Sequence, residues 1–290
     1  MNDLLFRIPL GGWVDVFVGW LTSTLRPLFR TISSALRSLF DAVTFVTGEP
    51  AFWIVALVLA ALAFFAKGWK LALGSFLGFA VIYGVDQWDN AMDSLALVLI
   101  ASVIAVVIAI PVGILAAQRP AVSAVVRPVL DFMQTMPAFV YLLPAVVLFR
   151  VGVVPGIVAT VIFASAPGVR FTQLGIQQVD AEVVEAGHAF GATPRRILRQ
   201  IQIPLALPTI MAGINQVIML ALSMVVIAGL VGGPGLGQPV VESLQRVNIG
   251  LGVEAGLSVV ILAMFLDRVT AALGDRSPVA RAARARTADA

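Results

Sequence analysis

The chain has 290 residues, of which 60% are hydrophobic and 12% are charged, and its formal net charge is +3. Ordinary soluble domains carry about a quarter charged residues, so this composition indicates one compact domain embedded in a membrane. The chain has no cysteine for a disulfide, a thiolate nucleophile or a cysteine-based zinc site, and its single histidine excludes a multi-histidine metal site. Positive charge in such a protein is typical of cytoplasmic loops, so we expect membrane lipids and no nucleic acid as partners.

Residues 1–50 are predicted to form an amphipathic segment at the membrane interface. Apolar side chains such as Phe17 and Leu28 recur at steps of three or four between residues 12 and 46, which is the helical period. Arginines interrupt every apolar run that is long enough to cross a bilayer, and a basic, two-faced helix is typical of an interfacial position. Packing against the membrane domain is an alternative interpretation that is compatible with the first. Pro27 predicts a kink or a division into two helices.

Seven apolar segments follow, and they predict an all-α, polytopic membrane helix bundle over residues 51–273. A helix needs about 20 apolar residues to cross a bilayer, and three of the seven segments are shorter than this. Residues 274–290 form an Ala- and Arg-rich tail that we expect to be disordered in the cytoplasm. The predicted spans are residues 51–66, 69–85, 94–117, 129–149, 153–169, 205–230 and 250–272.

Basic residues occur in alternate connections between these spans. They lie between the first and second, the third and fourth, and the fifth and sixth spans, and after the seventh. The basic residues of the opposite connections are Arg150 and Arg246 alone. Because cytoplasmic connections are enriched in Lys and Arg, we expect a cytoplasmic C-terminus and an N-terminus on the outer side. This orientation places the basic N-terminal segment outside, which is unusual.

A hydrophilic stretch between the fifth and sixth spans, residues 180–204, has the punctuation of two short helices. Asp180 is a suitable N-cap for the first helix, and Gly191 is a suitable stop because glycine tolerates a positive φ. Thr193 and Pro194 are suitable as the N-cap and first residue of the second helix. The stretch therefore predicts a helix, a glycine turn and a helix across the cytoplasmic mouth of the bundle.

The same stretch has no catalytic constellation. His188 has no neighbouring nucleophile or metal ligands, and no acid at mid-membrane to which it could pass a proton, so a surface position is the simpler interpretation. Its arginines could anchor the stretch to anionic lipid. That alternative leaves the glycine and proline punctuation unexplained.

The stretch resembles the EAA loop of the inner-membrane permeases of binding-protein-dependent ABC importers. The pattern of that loop is E-A-A, three residues, G, nine residues, I-x-L-P, and here Gly187 replaces the second alanine and Ile203 the leucine. The run from Gln134 to Leu273 is also similar to the glycine betaine and proline betaine branch of these permeases. The resemblance implies that the loop docks on an ATPase subunit through Glu185, Ala186, Gly187, Gly191, Ala192, Arg195, Arg196, Ile201 and Pro204.

From this resemblance we expect the fold of a type I, MetI-like importer permease. The chain would be a transport subunit without a catalytic site and without a bound cofactor, because ATP and Mg²⁺ would bind to the partner ATPase. A dimer of ABC ATPases would drive alternating access in a homodimer of this chain, and an extracytoplasmic binding protein would deliver the cargo. The expected cargo is a quaternary ammonium compatible solute, namely glycine betaine, proline betaine or choline, and the expected location is the inner membrane of a bacterium.

An ion-coupled secondary transporter or channel is the alternative function. Ion coupling usually requires an ionisable group at mid-membrane, and the centres of the seven spans lack one, since Asp131, Glu254 and Asp267 lie near span ends. The glycine-rich segment Gly229–Pro239 lacks the Lys and Ser/Thr of a phosphate-binding loop and is expected to be a turn-rich external loop. Asn215 and Gln216 could line a path or hold helices together. The candidate path residues are Gln134, Thr135, Tyr141, Asn215, Gln216 and Ser223.

Overall fold

The computed structural model describes residues 9–275, which form α-helices joined by short connections, with no strand among them. Two 3₁₀ turns, Ala138–Tyr141 and Gly229–Val231, and a π-helical turn, Leu198–Gln202, connect some of the helices. The helices are α1 (Leu10–Thr24), α2 (Arg26–Gly48), α3 (Phe52–Lys67), α4 (Trp69–Gly84), α5 (Trp88–Gln118), α6 (Pro120–Thr135), α7 (Leu142–Phe149), α8 (Val153–Gln177), α9 (Ala181–Ala189), α10 (Pro194–Ile197), α11 (Ile203–Ala228), α12 (Gly237–Arg246) and α13 (Ile249–Asp275).

Helices α5, α8 and α11 form the centre of the bundle. Small residues let them approach closely: a Cβ added to Gly168 of α8 would lie 2.8 Å from Ala109 Cβ of α5 and 3.0 Å from Val217 Cγ2 of α11. Close approach matters because membrane helices associate through van der Waals packing rather than through the hydrophobic effect. Leu97 and Ile157 are fully buried in this core.

Helices α3 and α4 form a hairpin beside this centre. The buried ring of Phe79 on α4 lies edge-on to the rings of Trp88 and Phe265, at centroid distances of 6.2 and 5.0 Å. The rings of Phe52 and Tyr83 stack at 3.8 Å. Edge-on contacts are favourable because the positive edge of one ring meets the negative face of another. These rings attach the hairpin to α5 and α13.

Within residues 9–275, four helices are long and apolar enough to cross a membrane alone: α5, α8, the helix Pro194–Val231 and α13. Two bent pairs pass the same test when each is counted as one span, α2 with α3 at 98° and α6 with α7 at 110°. Helix α4 has 16 residues, about 24 Å at 1.5 Å per residue, against a hydrocarbon core of about 30 Å. The all-helical membrane bundle is confirmed, and the predicted seven spans are approximate.

The fourth predicted span is not continuous, contrary to the prediction for residues 129–149. Helix α6 ends just before Met136, which is extended (φ −73°, ψ 133°), and a 3₁₀ turn leads into α7. Pro137 explains the break, because proline has no N–H and its ring forces the preceding residue out of the helical region. The Tyr141 hydroxyl donates to the Met133 carbonyl across the break and fixes its angle.

The fifth span is longer than the predicted residues 153–169, since α8 continues for about two more turns. Two polar side chains of these turns have partners on α6. Arg170 forms an ion pair with Asp131, and Gln173 Nε2 donates to Ser123 Oγ at 2.9 Å. The arginine that ended the predicted span is therefore accommodated by a pairing that the apolar pattern does not contain.

The N-terminal segment is divided into two helices, as Pro27 predicts, and Pro27 lies in the first turn of α2. Helix α2 packs on α5, α7 and α8, with Phe40 buried and Leu36 against the main core. Helix α1 contacts α2 and exposes Trp13 and Trp20. Helix α2 therefore packs against the membrane domain, which was the alternative interpretation. Helix α1 has the exposed apolar side chains expected of an interfacial helix. The predicted disordered tail lies outside the described residues, apart from the end of α13.

The glycine-rich segment Gly229–Pro239 is turn-rich, as predicted, and part of it is buried within the bundle. Leu236 is fully buried, and its N–H donates to Ser94 Oγ on α5 at 2.8 Å. A Cβ added to Gly229 would lie 2.3 Å from the carbonyl carbon of Gly237, so the backbone crosses itself closely here. Helix α12 then packs on α11 and α13. In this segment glycine permits close packing as well as turns.

Candidate functional site

Helix α9 begins the hydrophilic stretch of residues 180–204, and its N-terminus is capped as predicted. The Asp180 carboxylate accepts a hydrogen bond from the Glu182 N–H, with 2.9 Å between Oδ1 and N. Glu182 itself lies in the first turn, where the helix dipole favours negative charge. A helix of nine residues is marginal in isolation, so these local contacts and its packing define it.

Helix α9 ends in a Schellman turn. Gly191 has φ +76°, and its N–H donates to the His188 carbonyl at 2.9 Å. The N–H of Ala192 donates to the Gly187 carbonyl at 3.1 Å, which completes the two-bond pattern. Glycine adopts this φ without the steric cost of a Cβ. Gly191 therefore ends the helix, as the sequence predicts.

Gly187 is the buried residue at the contact between α9 and the helix that follows it. A Cβ at this position would lie 2.9 Å from Ile201 Cδ1 and 3.3 Å from Ile197 Cγ1. The two isoleucines therefore press against the backbone of α9, closer than a side chain would allow without a shift. The departure from alanine in the E-A-A pattern is matched by this tight packing, and Ile201 of the same pattern is one of its partners.

The second helix of the stretch does not stop at Pro204, where the sixth span was predicted to begin. Helix α10, the π-helical turn, α11 and the 3₁₀ turn that follows it form one helix of 38 residues, Pro194–Val231. Pro204 explains the π-helical turn, because the wider turn accommodates a missing N–H and a ring that would collide with the preceding turn. Thr193 precedes this helix as predicted, although its carbonyl, rather than its side chain, accepts from the Arg196 N–H at 2.9 Å.

The exposed face of the stretch combines charged, small and apolar side chains. Glu185 and Arg195 are exposed, as is Arg196, whose Nε donates to Gln200 Oε1 at 2.9 Å. Phe190 is 91% exposed although it is large and apolar. An exposed aromatic side chain is typical of an anchor that a partner buries. Sequence reasoning missed this residue; the signal was an aromatic placed directly before the glycine that ends the helix.

A cavity of about 370 Å³ lies between the stretch and the C-terminal end of α5. Gln118, the last residue of α5, and Arg119, directly after it, line one side of the cavity. Val184, His188 and Arg195 of the stretch line the other side. His188 is exposed, which agrees with the surface position expected for it. The stretch thus lies beside the ends of α5 and α8, at one end of the central helices.

The three candidate path residues of the fourth span lie at its break. Gln134 and Thr135 are exposed in the last turn of α6, where Thr135 Oγ1 donates to the Phe132 carbonyl at 2.9 Å. Tyr141 is buried, and its hydroxyl donates to the Met133 carbonyl across the break. The residues around the break pack on Met224 of α11, so the break and the middle of α11 are neighbours.

The three candidate path residues of α11 occupy different environments. Asn215 Nδ2 donates to Asp267 Oδ1 at 2.9 Å and its Oδ1 accepts from Thr270 Oγ1 at 2.6 Å, so Asn215 joins α11 to α13. Gln216 and Ser223 are exposed and lie seven residues apart, on one face of the helix. Ser223 Oγ donates to the Met219 carbonyl of its own helix at 3.1 Å, whereas an unbonded amide such as that of Gln216 is costly against lipid tails. The Gln216 side chain therefore favours water or another protein surface.

Comparisons with known proteins agree with this arrangement. The sequence profile of the family described as binding-protein-dependent transport system inner membrane component matches residues 109–277. The glycine betaine transport system permease protein OpuAB of Bacillus subtilis (strain 168) is 47% identical over 92% of this chain and 95% of its own length. The glycine betaine/proline betaine permease ProW of Escherichia coli (strain K12) is 44% identical over 92% and 75%. The glycine betaine/carnitine permease GbuB of Listeria monocytogenes serotype 1/2a (strain 10403S) is 45% identical over 93% and 97%.

Among solved structures, the inward-facing MetNI methionine ABC transporter is similar with a TM-score of 0.56. The aligned region covers 65% of this chain and 92% of that one at 24% identity, which bears on the fold alone. The predicted MetI-like permease fold is confirmed by this likeness. Because the profile covers more than half of the chain and the relatives match nearly all of it, the chain is a multi-pass membrane protein that belongs to the family of binding-protein-dependent transport system inner membrane components.

Proposed function

We propose that the chain is the permease subunit of an ATP-driven ABC importer that carries a quaternary ammonium compatible solute by alternating access. The observation that carries this proposal is the folded EAA stretch: a capped helix and a Schellman turn present a charged, partly apolar surface at one end of the bundle. The names of the relatives, which transport glycine betaine, proline betaine and carnitine, support the substrate class. The cargo we propose is glycine betaine, proline betaine or choline.

The α9 surface is the proposed docking site for the ATPase dimer. Phe190 would supply the apolar anchor, and Glu185, Arg195 and Arg196 would fix the orientation, since rim charges contribute more to specificity than to affinity. Ala186 is exposed beside them and permits close approach of the partner. ATP and Mg²⁺ would bind to the ATPase, and this chain would receive only the resulting movement.

Two copies of the chain would enclose the path. The exposed polar face of α11, with Gln216 and Ser223, supports this proposal because a second copy and a water-filled path would cover it. Gln134 and Thr135 at the end of α6 would open towards the same path. An extracytoplasmic binding protein would deliver the solute to the opposite end of the bundle from α9.

The same arrangement suggests an orientation in the membrane. The α9 end carries Arg195, Arg196 and Arg199, and cytoplasmic ends of membrane proteins collect such charge. We therefore place this end and the C-terminus in the cytoplasm and the N-terminus outside. Fluorescent reporters fused to either terminus would test the assignment.

The test of the function is uptake by proteoliposomes that contain the purified permease with its ATPase and its binding protein. We expect radiolabelled glycine betaine to accumulate only when ATP is supplied on the ATPase side, and an uncoupler to have no effect. A matched preparation without the ATPase is the control. Uptake that persists without ATP and collapses with the uncoupler would establish the ion-coupled alternative instead.

A further inference from the structure

A second charged feature lies at the end of the bundle away from α9, in a cleft between α2 and α7. The cleft has a volume of about 500 Å³, and four arginines line it: Arg26, Arg30 and Arg37 of α2, and Arg150 directly after α7. The three arginines of α2 are separated by four and seven residues, so they project from one helical face. Because α8 begins just after Arg150 and ends just before α9, this cleft and the EAA stretch lie at opposite ends of α8.

The positive charge in this cleft is not neutralised by the protein. None of the three ion pairs within residues 9–275 includes any of the four arginines. Of the acids that flank them in sequence, Asp41 lines a separate cavity, and Asp15 lines the adjoining cavity without an ion pair to these arginines. Like charges that converge on one low-dielectric cleft attract an anion. The electrostatics of the cleft therefore favour the binding of an anion.

The arginine cleft continues into a second, mostly apolar cavity, although Asp15 and Ser23 also line it. A second cavity of about 550 Å³ shares Thr22, Arg26 and Val147 with the first, so the two join along α1, α2 and α7. An edge-on contact between the rings of Phe29 and Phe149, at 5.4 Å, holds α2 against α7 beside the junction. The remaining apolar walls of the second cavity are Val14, Val18, Leu143 and Pro144.

The backbone of Arg150 is strained in a way that its position in the cleft explains. Arg150 has φ +66° and ψ −177°, a region that is essentially restricted to glycine. Its N–H closes the last turn of α7 by donating to the Val146 carbonyl at 2.7 Å. Glycine would adopt this conformation without strain, whereas arginine carries a charge to the mouth of the cleft. Strained residues of this kind cluster at ligand sites.

We propose that this cleft binds one anionic phospholipid, with the phosphate among the four arginines and an acyl chain along the apolar cavity. An amphiphile matches both halves of the cleft, whereas a soluble phosphate would use only the arginine half. The basic amphipathic helix α2 and the exposed tryptophans of α1 are typical of the zone where headgroups and acyl chains meet. Each half has the volume of an ordinary small-molecule site.

Native mass spectrometry of the full chain in non-ionic detergent tests this proposal with phosphatidylglycerol as the probe. We expect one phosphatidylglycerol to bind per chain in preference to phosphatidylcholine, which has no net charge. The triple variant Arg30→Gln, Arg37→Gln, Arg150→Gln should raise the Kd for phosphatidylglycerol about a hundredfold, since each basic residue contributes about fivefold near anionic lipid. Equal binding of the two lipids, or unchanged binding by the triple variant, would overturn the proposal.

The matched control removes the same number of charges elsewhere. The variant Lys67→Gln, Lys70→Gln, Arg246→Gln changes exposed residues that line neither cavity, and it should leave the Kd within about threefold of the original. Displacement of the lipid by equimolar inorganic phosphate would assign the arginines to a soluble anion and refute the lipid site. Loss of dimer mass in the arginine variant, with lipid binding intact, would instead assign the cleft to a second copy of the chain.

Two single variants separate binding from folding. Arg150→Gly should weaken phosphatidylglycerol binding about fivefold while it maintains or raises the melting temperature in lipid-free detergent, because it removes charge and strain together. A lower melting temperature with unchanged lipid binding would make Arg150 merely structural. Val147→Trp fills the junction of the two cavities without changing the charge, and it should also reduce lipid binding; unaltered binding would exclude the apolar half.

Discussion

At the scale of single residues, Gly187 shows how a departure from a family pattern is tied to a neighbour. The atom nearest to its missing Cβ is the terminal methyl of Ile201, the flexible end of a side chain. A small side chain can therefore be accommodated by a rotation of this methyl, whereas a large one would displace the whole of α9. The position is permissive for size only up to alanine.

Substitutions at Gly187 should separate these two cases. Gly187→Ala should be tolerated, because the shift of Ile201 is offset by the higher helix propensity of alanine, about 1 kcal/mol. Gly187→Leu should overpack the contact by about 1–3 kcal/mol and lower permease-stimulated ATP hydrolysis. Stimulated ATPase activity in proteoliposomes measures both. Equal activity of the two variants would show that the close contact between α9 and Ile201 has no part in coupling.

Phe190 is the second residue whose contribution can be isolated. Phe190→Ala should weaken the affinity for the ATPase about thirtyfold, because a central aromatic anchor contributes about 2 kcal/mol. Leu244→Ala is a suitable control: Leu244 is also exposed and apolar, but it lies on α12 beyond the other end of α11. Binding of detergent-purified permease to immobilised ATPase gives both affinities. An identical affinity for the Phe190 variant and the original would remove Phe190 from the interface.

At the scale of elements, one side-chain hydrogen bond, from the Tyr141 hydroxyl, bridges the break between α6 and α7. Tyr141→Phe removes the hydrogen bond to the Met133 carbonyl and leaves that carbonyl without this donor, which should cost about 1 kcal/mol and lower the melting temperature. The chain contains only one other tyrosine, Tyr83, whose ring is exposed and stacked on Phe52. Tyr83→Phe should leave the melting temperature unchanged. Thermal unfolding in detergent compares the two, and equal shifts would show that the bridge does not stabilise the break.

The elements that could be predicted from the sequence are those defined by local contacts. The cap at Asp180 and the stop at Gly191 depend on residues within a few positions, and so does the division at Pro27. The extension of α8 past Arg170 could not be predicted, because it depends on Asp131, some forty residues earlier in the chain. The burial of Leu236 depends in the same way on a hydroxyl from a distant helix.

The same distinction applies to the candidate site. Its residues were identified from the resemblance of residues 180–204 to the EAA loop, and the turn at Gly191 has the expected geometry. The continuity of the helix through Pro204 was missed because a π-helical turn leaves no simple sequence pattern. Phe190 was missed because its exposure is a property of the folded loop. Whether the predicted residues dock an ATPase or line a path stays a prediction.

At the scale of the whole molecule, the exposed polar face of α11 can be tested by chemical labelling. The chain has no native cysteine, so single cysteines report without background. Ser223→Cys and Gln216→Cys should react with a water-soluble maleimide, because a thiolate forms only where water reaches it. Val260→Cys on α13, exposed on an apolar surface, should remain unlabelled in vesicles. Resistance of both α11 cysteines to the reagent would place this face against lipid or dry protein.

The long helix Pro194–Val231 also has a mechanical consequence. Its 38 residues extend for about 57 Å at 1.5 Å per residue, which exceeds the thickness of the bilayer. One end adjoins the turn that carries Phe190, and the other leads into the glycine-rich segment that is tied to Ser94. A tilt of about 5° around its midpoint would move the two ends by about 2.5 Å in opposite directions. A rigid tilt of this helix would therefore move its two ends in opposite directions on the two sides of the membrane.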